Sequence, residues 1–108
     1  MDWYTIEILD DCIRLDVRPP DRDAWEERIL FKDVERVCYE AGDFLMSDTI
    51  YIFVRGREHS YAIPTEGEGG PELWGALVKA GLFDGRLAIE AATAEAGTIL
   101  CWPEIESA

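Results

Sequence analysis

Cations are scarce in this chain. Lys and Arg together number 10 against 23 Asp plus Glu, and His59 is the one histidine, so the formal net charge at pH 7 is -13. Nucleic-acid binding rests on cationic contacts to phosphate, and an acidic surface is repelled both by phosphate backbones and by anionic headgroups. The composition therefore argues against binding DNA or RNA and against docking on an anionic membrane. Long apolar runs are missing too. The start, MDWYTIEILDD, has no basic region leading into an apolar stretch, and no later segment approaches the roughly 18 apolar residues of a membrane span. Cysteine is sparse: Cys12, Cys38 and Cys101 are odd in number, widely spaced and never in a C-x-x-C pair. That pattern predicts reduced thiols and, with no targeting segment in view, a cytoplasmic protein.

The residue types of catalysis are equally thin. One histidine and three scattered cysteines lack the paired spacing of a zinc site, and the acidic runs lack the D-x-D-x-D-G order of a calcium loop. His59, Ser60 and Asp48 include the types of a hydrolytic triad, but neighbours on a strand point to opposite faces and no G-x-S-x-G elbow is present. EGEGGPELW stands where a phosphate-binding glycine loop would occur. Its three glutamates, its lack of lysine and the missing amide hydrogen of Pro71 favour a flexible connector instead. The expectation is no catalytic residue, no metal and no cofactor.

Against these absences stands a balance of 48% hydrophobic and 31% charged residues, which supports a packed core in a single domain spanning residues 1–108. WYTIEIL and CIRLDVR alternate apolar and polar residues, the period of half-buried strands, and Asp10 with Asp11 between them suits a tight hairpin. Pro19 and Pro20 then end the second strand. TIYIFVR is β-branched and aromatic throughout, which predicts a central strand covered on both faces. Gly56 permits a reversal, and HSYAI returns as a strand with His59, Tyr61 and Ile63 on one face.

Residues 23 to 41 fit two readings. As a helix, Asp23 and Glu26 form a capping box and Leu30, Val34, Val37 and Ala41 share a face; as strands, Trp25, Glu27, Ile29 and Phe31 alternate, a polar turn follows, and Val37 and Tyr39 resume. Pro71 opens an amphipathic helix over about residues 71–80 with Leu73, Trp74, Leu77 and Val78 as its stripe, and Gly81 followed by Leu82 closes it. RLAIEAATAEA is Ala-rich and fits a short second helix, and TILCW reads as a last strand before Pro103. The fold class is α+β: a strongly bent antiparallel sheet or partly open barrel packed by one amphipathic helix, followed by the Ala-rich segment and final strand.

The order hairpin, F-x-D-V-x-R-V (Phe31, Asp33, Val34, Arg36, Val37), hairpin ending in Ala62-Ile63-Pro64, then amphipathic helix resembles bacterial pleckstrin-homology-like domains over roughly residues 3–81. The resemblance implies a bent antiparallel sheet capped by a helix and favours strands over residues 25–40. In lipid-binding members of that superfamily the first loop is basic, whereas here the turn is Asp10 and Asp11, so phosphoinositide binding is not implied. The tail beyond the helix has no matching element.

These features predict a binding or scaffold domain that works through a protein partner or self-association, without catalysis. An acidic immunity-type inhibitor of a basic toxin or nuclease is the first alternative. A small anionic-ligand binder or enzyme is the second. Arg55, Arg57 and His59, clustered in FVRGREHSY, are candidate contacts, although alternation need not make them converge. Trp3 and Trp102, near the two ends, are candidates for mutual packing or for an exposed patch, while Trp25 and Trp74 are assigned to the core.

Overall fold

The computed structural model describes residues 3–43 and 47–103. It is an α+β arrangement of two antiparallel sheets and two helices, rather than one continuous bent sheet or a closed barrel. The first sheet has the order β1-β2-β3, with β1 at Tyr4–Ile8, β2 at Cys12–Val17 and β3 at Trp25–Leu30. The second has the order β6-β5-β4-β7, with β4 at Val34–Glu40, β5 at Thr49–Val54, β6 at Tyr61–Pro64 and β7 at Ile99–Trp102. The ambiguous segment is thus strand, and Asp23 and Glu26 make no capping box. A single 3-10 turn, Phe31–Asp33, carries the chain from one sheet to the other.

Alternation sets the core. Ile6, Ile13, Leu15, Val17 and Ile29 from the first sheet and Val37, Tyr39, Ile50, Ile52 and Ile63 from the second join Leu73 and Leu77 of α1, Gly70–Lys79, in one buried cluster. The β5 strand is central in its sheet, as expected, but only one face is covered: Ile50 and Ile52 are buried while Phe53 is 37% exposed. Strand β6 begins at Tyr61, so His59 lies in the connecting loop and not on the strand face assigned to it. Gly56, at φ 79°, makes the reversal, and Arg57 N–H donates to Val54 O at 3.3 Å.

Helix α1 ends as the sequence predicts. Gly81 takes φ 75°, its N–H donates to Val78 O at 3.1 Å, and Leu82 N–H donates to Leu77 O at 2.9 Å, the paired bonds of a glycine-terminated helix. A second helix, α2, covers Gly85–Ala92, with the Asp84 side chain accepting from Arg86 N–H at 2.8 Å. Among the described residues no helix is long and apolar enough to cross a membrane.

Two further expectations are overturned. The glycine-rich segment before α1 is no loose connector: Glu68 N–H donates to Tyr4 O at 2.8 Å and Ile6 N–H donates to Glu68 O at 2.6 Å, pairing the loop with the outer edge of β1. The approach is so close that only glycine fits. A Cβ on Gly69, at φ 94°, would lie 2.0 Å from Ile6 O, and one on Gly70 would lie 2.1 Å from Thr65 O. The loop thereby covers backbone groups that an edge strand would otherwise expose. The second correction concerns the thiols. Cys38 and Cys101 sit opposite each other where β4 pairs with β7 and are joined as a disulfide, leaving Cys12 as a buried free thiol. Sixty-three positions of separation hid a pair that antiparallel register brings together, and the cytoplasmic expectation loses the reduced thiols that supported it.

Gly69→Ala and Gly70→Ala should each cost at least about 2 kcal/mol in denaturant unfolding, through clash with backbone at both positions and through left-handed backbone strain at Gly69. Gly75→Ala, mid-helix with nothing within 4 Å of its Cβ position, should stabilise by about 0.5–1 kcal/mol. Equal effects at the three sites would contradict the docked loop. The disulfide predicts one reactive thiol, not three, when the non-reduced protein is denatured and titrated. Its reduction should lower stability by about 2–4 kcal/mol, because it closes a long loop in the unfolded chain.

Candidate binding cleft

The residues singled out in FVRGREHSY do not form one site. Arg55, Arg57 and His59 are all exposed on the β5–β6 connection. The Arg57 guanidinium lies 3.5 Å above the centre of the Tyr61 ring, and the Tyr61 hydroxyl donates to Glu27 Oε2 at 3.4 Å. Arg57 is therefore turned back onto its own hairpin, in a chain of contacts that reaches β3 of the other sheet. Arg55 is held through its backbone, its N–H donating to Asp33 O at 2.8 Å. Asp48 precedes β5 and His59 follows it, so the triad types are separated by the length of that strand, about 20 Å. Asp48 is moreover engaged by the Tyr39 hydroxyl and by Gly42 N–H at 2.7 Å.

The two terminal tryptophans also part company. Trp102 is 37% exposed on β7, beside Val34, Arg36, Leu82 and Pro103. Trp3 belongs to a cleft at the far end of the first sheet, which has a volume of about 560 Å³ and is lined by Trp3, Tyr4, Val17, Pro19, Pro20, Asp21, Arg22, Asp23 and Trp25. Its walls are mostly apolar, with a few polar groups at the rim.

Register builds this cleft. Tyr4 pairs with Val17, and Val17 pairs with Trp25, so the three side chains form a row across the inner face of the sheet. Trp3 is fixed next to the row by its carbonyl, which accepts from Arg18 N–H at 2.8 Å. Pro19 and Pro20 stiffen the return toward β3 and bring Asp21, Arg22 and Asp23 to the rim. The Tyr4 ring centre is 6.2 Å from that of Trp3 and 6.2 Å from that of Trp25, the latter edge-on. Trp25, assigned to the core from its strand pattern, is instead 44% exposed. Its exposure was hidden because alternation gives the face of a residue but not whether the opposite layer reaches that far. Trp74, by contrast, packs between Tyr39 and Phe83, as its helical stripe suggests.

Below the cleft the Tyr4 hydroxyl is buried and, among the described residues, has no hydrogen-bond partner. Burial pushes its phenol from 10.0 up to about 12. On the outer face of the same sheet the charges are paired. Arg14 binds Glu26 through two hydrogen bonds, at 3.0 and 2.9 Å, and lies 3.6 Å from Glu7 and 3.5 Å from Asp16. The hydrogen bonds from Arg14 hold the Glu26 carboxyl below its ordinary pKa. Among the described residues no group of three or more His, Cys, Asp and Glu side chains converges as a metal site. Comparison with protein-family models, curated proteins and solved structures finds no match.

Tyr4→Phe should leave the protein at least as stable at neutral pH, since it removes an unpartnered buried hydroxyl whose desolvation costs about 1–3 kcal/mol. A phenol raised in the folded state gives stability that is complete below the unfolded value of 10.0 and is lost as pH climbs toward about 12. Unfolding midpoints followed across that interval should fall more steeply for the parent than for Tyr4→Phe. Parallel curves would show that Tyr4 is not the buried phenol described.

Proposed function

We propose that this chain is a non-catalytic binding domain whose ligand is a basic protein. The observation that carries the reading is how its charge is distributed. Against a net charge of -13, several of the few cations are engaged internally: Arg14 with Glu7, Asp16 and Glu26, Arg18 with Asp16, and Arg57 with the Tyr61 ring. The surface left to a partner is dominated by carboxylates. Such a field steers a cationic protein during encounter and discriminates against acidic ones. An immunity-type inhibitor of a basic toxin or nuclease is one form of this reading. A small-anion site at the β5–β6 tip would need Arg57 to leave Tyr61.

The scaffold we propose is an open relative of the pleckstrin-homology-like arrangement. Two antiparallel sheets sharing a core with an amphipathic helix support that reading, while α2 and β7 are additions to it. Self-association is a second reading, favoured by the outer face of the second sheet, where Phe53 is 37% and Ile99 57% exposed.

Immobilised protein should retain a predominantly basic set of proteins from lysate and release them as salt rises from about 0.05 to about 0.5 M, because screening shortens the reach of surface charge. Retention that is indifferent to salt, or a set with no basic bias, would remove the reading. Sedimentation of the free protein separates it from self-association, which predicts a dimer under the same conditions.

A further inference from the structure

We propose that the cleft at the open end of the first sheet is a cation site, which takes a lysine or arginine side chain of the basic partner against Trp3, Tyr4 and Trp25 under Asp21 and Asp23. The inference rests on the basic-partner reading and gives it an address.

Three properties of the cleft point to a cation. Its walls are aromatic, and the face of an indole or phenol ring carries the negative end of the ring quadrupole, which attracts ammonium and guanidinium groups. The most exposed of these rings, Trp25, presents 44% of its surface. The rim carries two carboxylates, Asp21 and Asp23, both exposed and both in the cleft lining. Finally, Glu27 lies two residues beyond Trp25 on the same face of β3 and is also exposed, so negative charge continues along the strand out of the cleft.

The same chemistry rejects other occupants. A purely apolar segment would take water from the two carboxylates while offering Asp23 no partner in exchange. An anion would find Arg22 as the one cation in the lining, within 4.0 Å of Asp21. Arg22 is itself informative. A guanidinium of this chain already sits beside the acidic rim, and a partner cation would compete with it for Asp21.

The probe is a peptide of eight lysines, with its Nε-acetylated counterpart as the uncharged control, titrated at low salt into protein whose four tryptophan indole N–H signals are observed by NMR. The signals of Trp3 and Trp25 should move with the charged peptide alone, and those of Trp74 and Trp102 should stay. Trp25→Leu, and Asp21→Asn with Asp23→Asn, should each weaken binding at least about tenfold. Glu35→Gln with Glu90→Gln removes the same charge elsewhere and should change affinity less than about twofold. Arg22→Ala should tighten binding, an outcome that damage to the fold would not produce.

If the peptide binds but shifts all four indoles alike, or binds Trp25→Leu and the double Asp variant as well as the parent, the site is wrong and the basic-partner reading survives as a diffuse field. Failure of the peptide to bind while basic proteins are still retained also overturns the site alone. Failure of both the peptide and basic proteins overturns the site and the reading together.

Discussion

Three residues, Phe31 to Asp33, turn the chain from the first sheet into the second, and the two-layer architecture depends on that corner being held. It is fastened from both sides. Phe31 N–H donates to Asp11 O in the first hairpin turn at 3.0 Å, and Asp33 O accepts from Arg55 N–H at the end of β5 at 2.8 Å. The corner is thus tied to the β1–β2 turn of one layer and to the β5–β6 reversal of the other. With both turns anchored, the alternating faces of β1 to β3 and of β4 to β6 contribute to one core, and α1 adds Leu73 and Leu77. The fold needs this economy, because a chain of 108 residues has room for a single core.

The electrostatics follow from the same geometry. Outward-facing positions of the first sheet bring Arg14 among Glu7, Asp16 and Glu26, so one guanidinium serves three carboxylates. Because Glu7 and Glu26 are about half exposed to solvent, with Arg14 and Asp16 half-buried between them, the cluster organises the surface more than it stabilises the fold. The hydrogen bonds that lower Glu26 contribute above the ordinary glutamate range and are lost as pH falls through the depressed value. Pairing of this kind leaves the net charge of -13 unchanged, but it takes up several of the ten cations and so leaves the excess of carboxylates to face solvent.

Much of the scaffold could be read from alternation and turn chemistry. Asp10 and Asp11 mark a true hairpin, Gly56 a true reversal, and Gly81 with Leu82 a true helix end, because each is decided by residues within a few positions of one another. What the sequence hid is decided across distance. The Cys38–Cys101 bond needs the register of β4 with β7, and the pair Gly69 and Gly70 is intelligible only beside the carbonyls of Ile6 and Thr65. Residues 25–40 hid for another reason, since an apolar pattern broken by a polar turn fits a 3.6-residue and a two-residue period alike. Of the candidate contacts, Trp3 alone falls in the cleft, and its companions Tyr4 and Trp25 join it only through their shared partner Val17.

The cleft exists because β3, the edge strand of the first sheet, outruns the core that still covers Tyr4 and Val17 beside it. Along the inner face of β3, Ile29 is 1% exposed, whereas Glu27 and Trp25 are open to solvent. Yet β2 continues to pair with β3 as far as Val17 and Trp25. Hydrogen bonding therefore carries β3 beyond the reach of the second layer, and the indole there packs edge-on against Tyr4 instead. The Arg57, Tyr61 and Glu27 contacts bridge the sheets just short of this overhang. Past the bridge, aromatic surface and carboxylates meet without a covering element. A tryptophan at this position keeps exposed apolar area that a smaller or polar residue would avoid, and it is this area that the proposed cation contact would use.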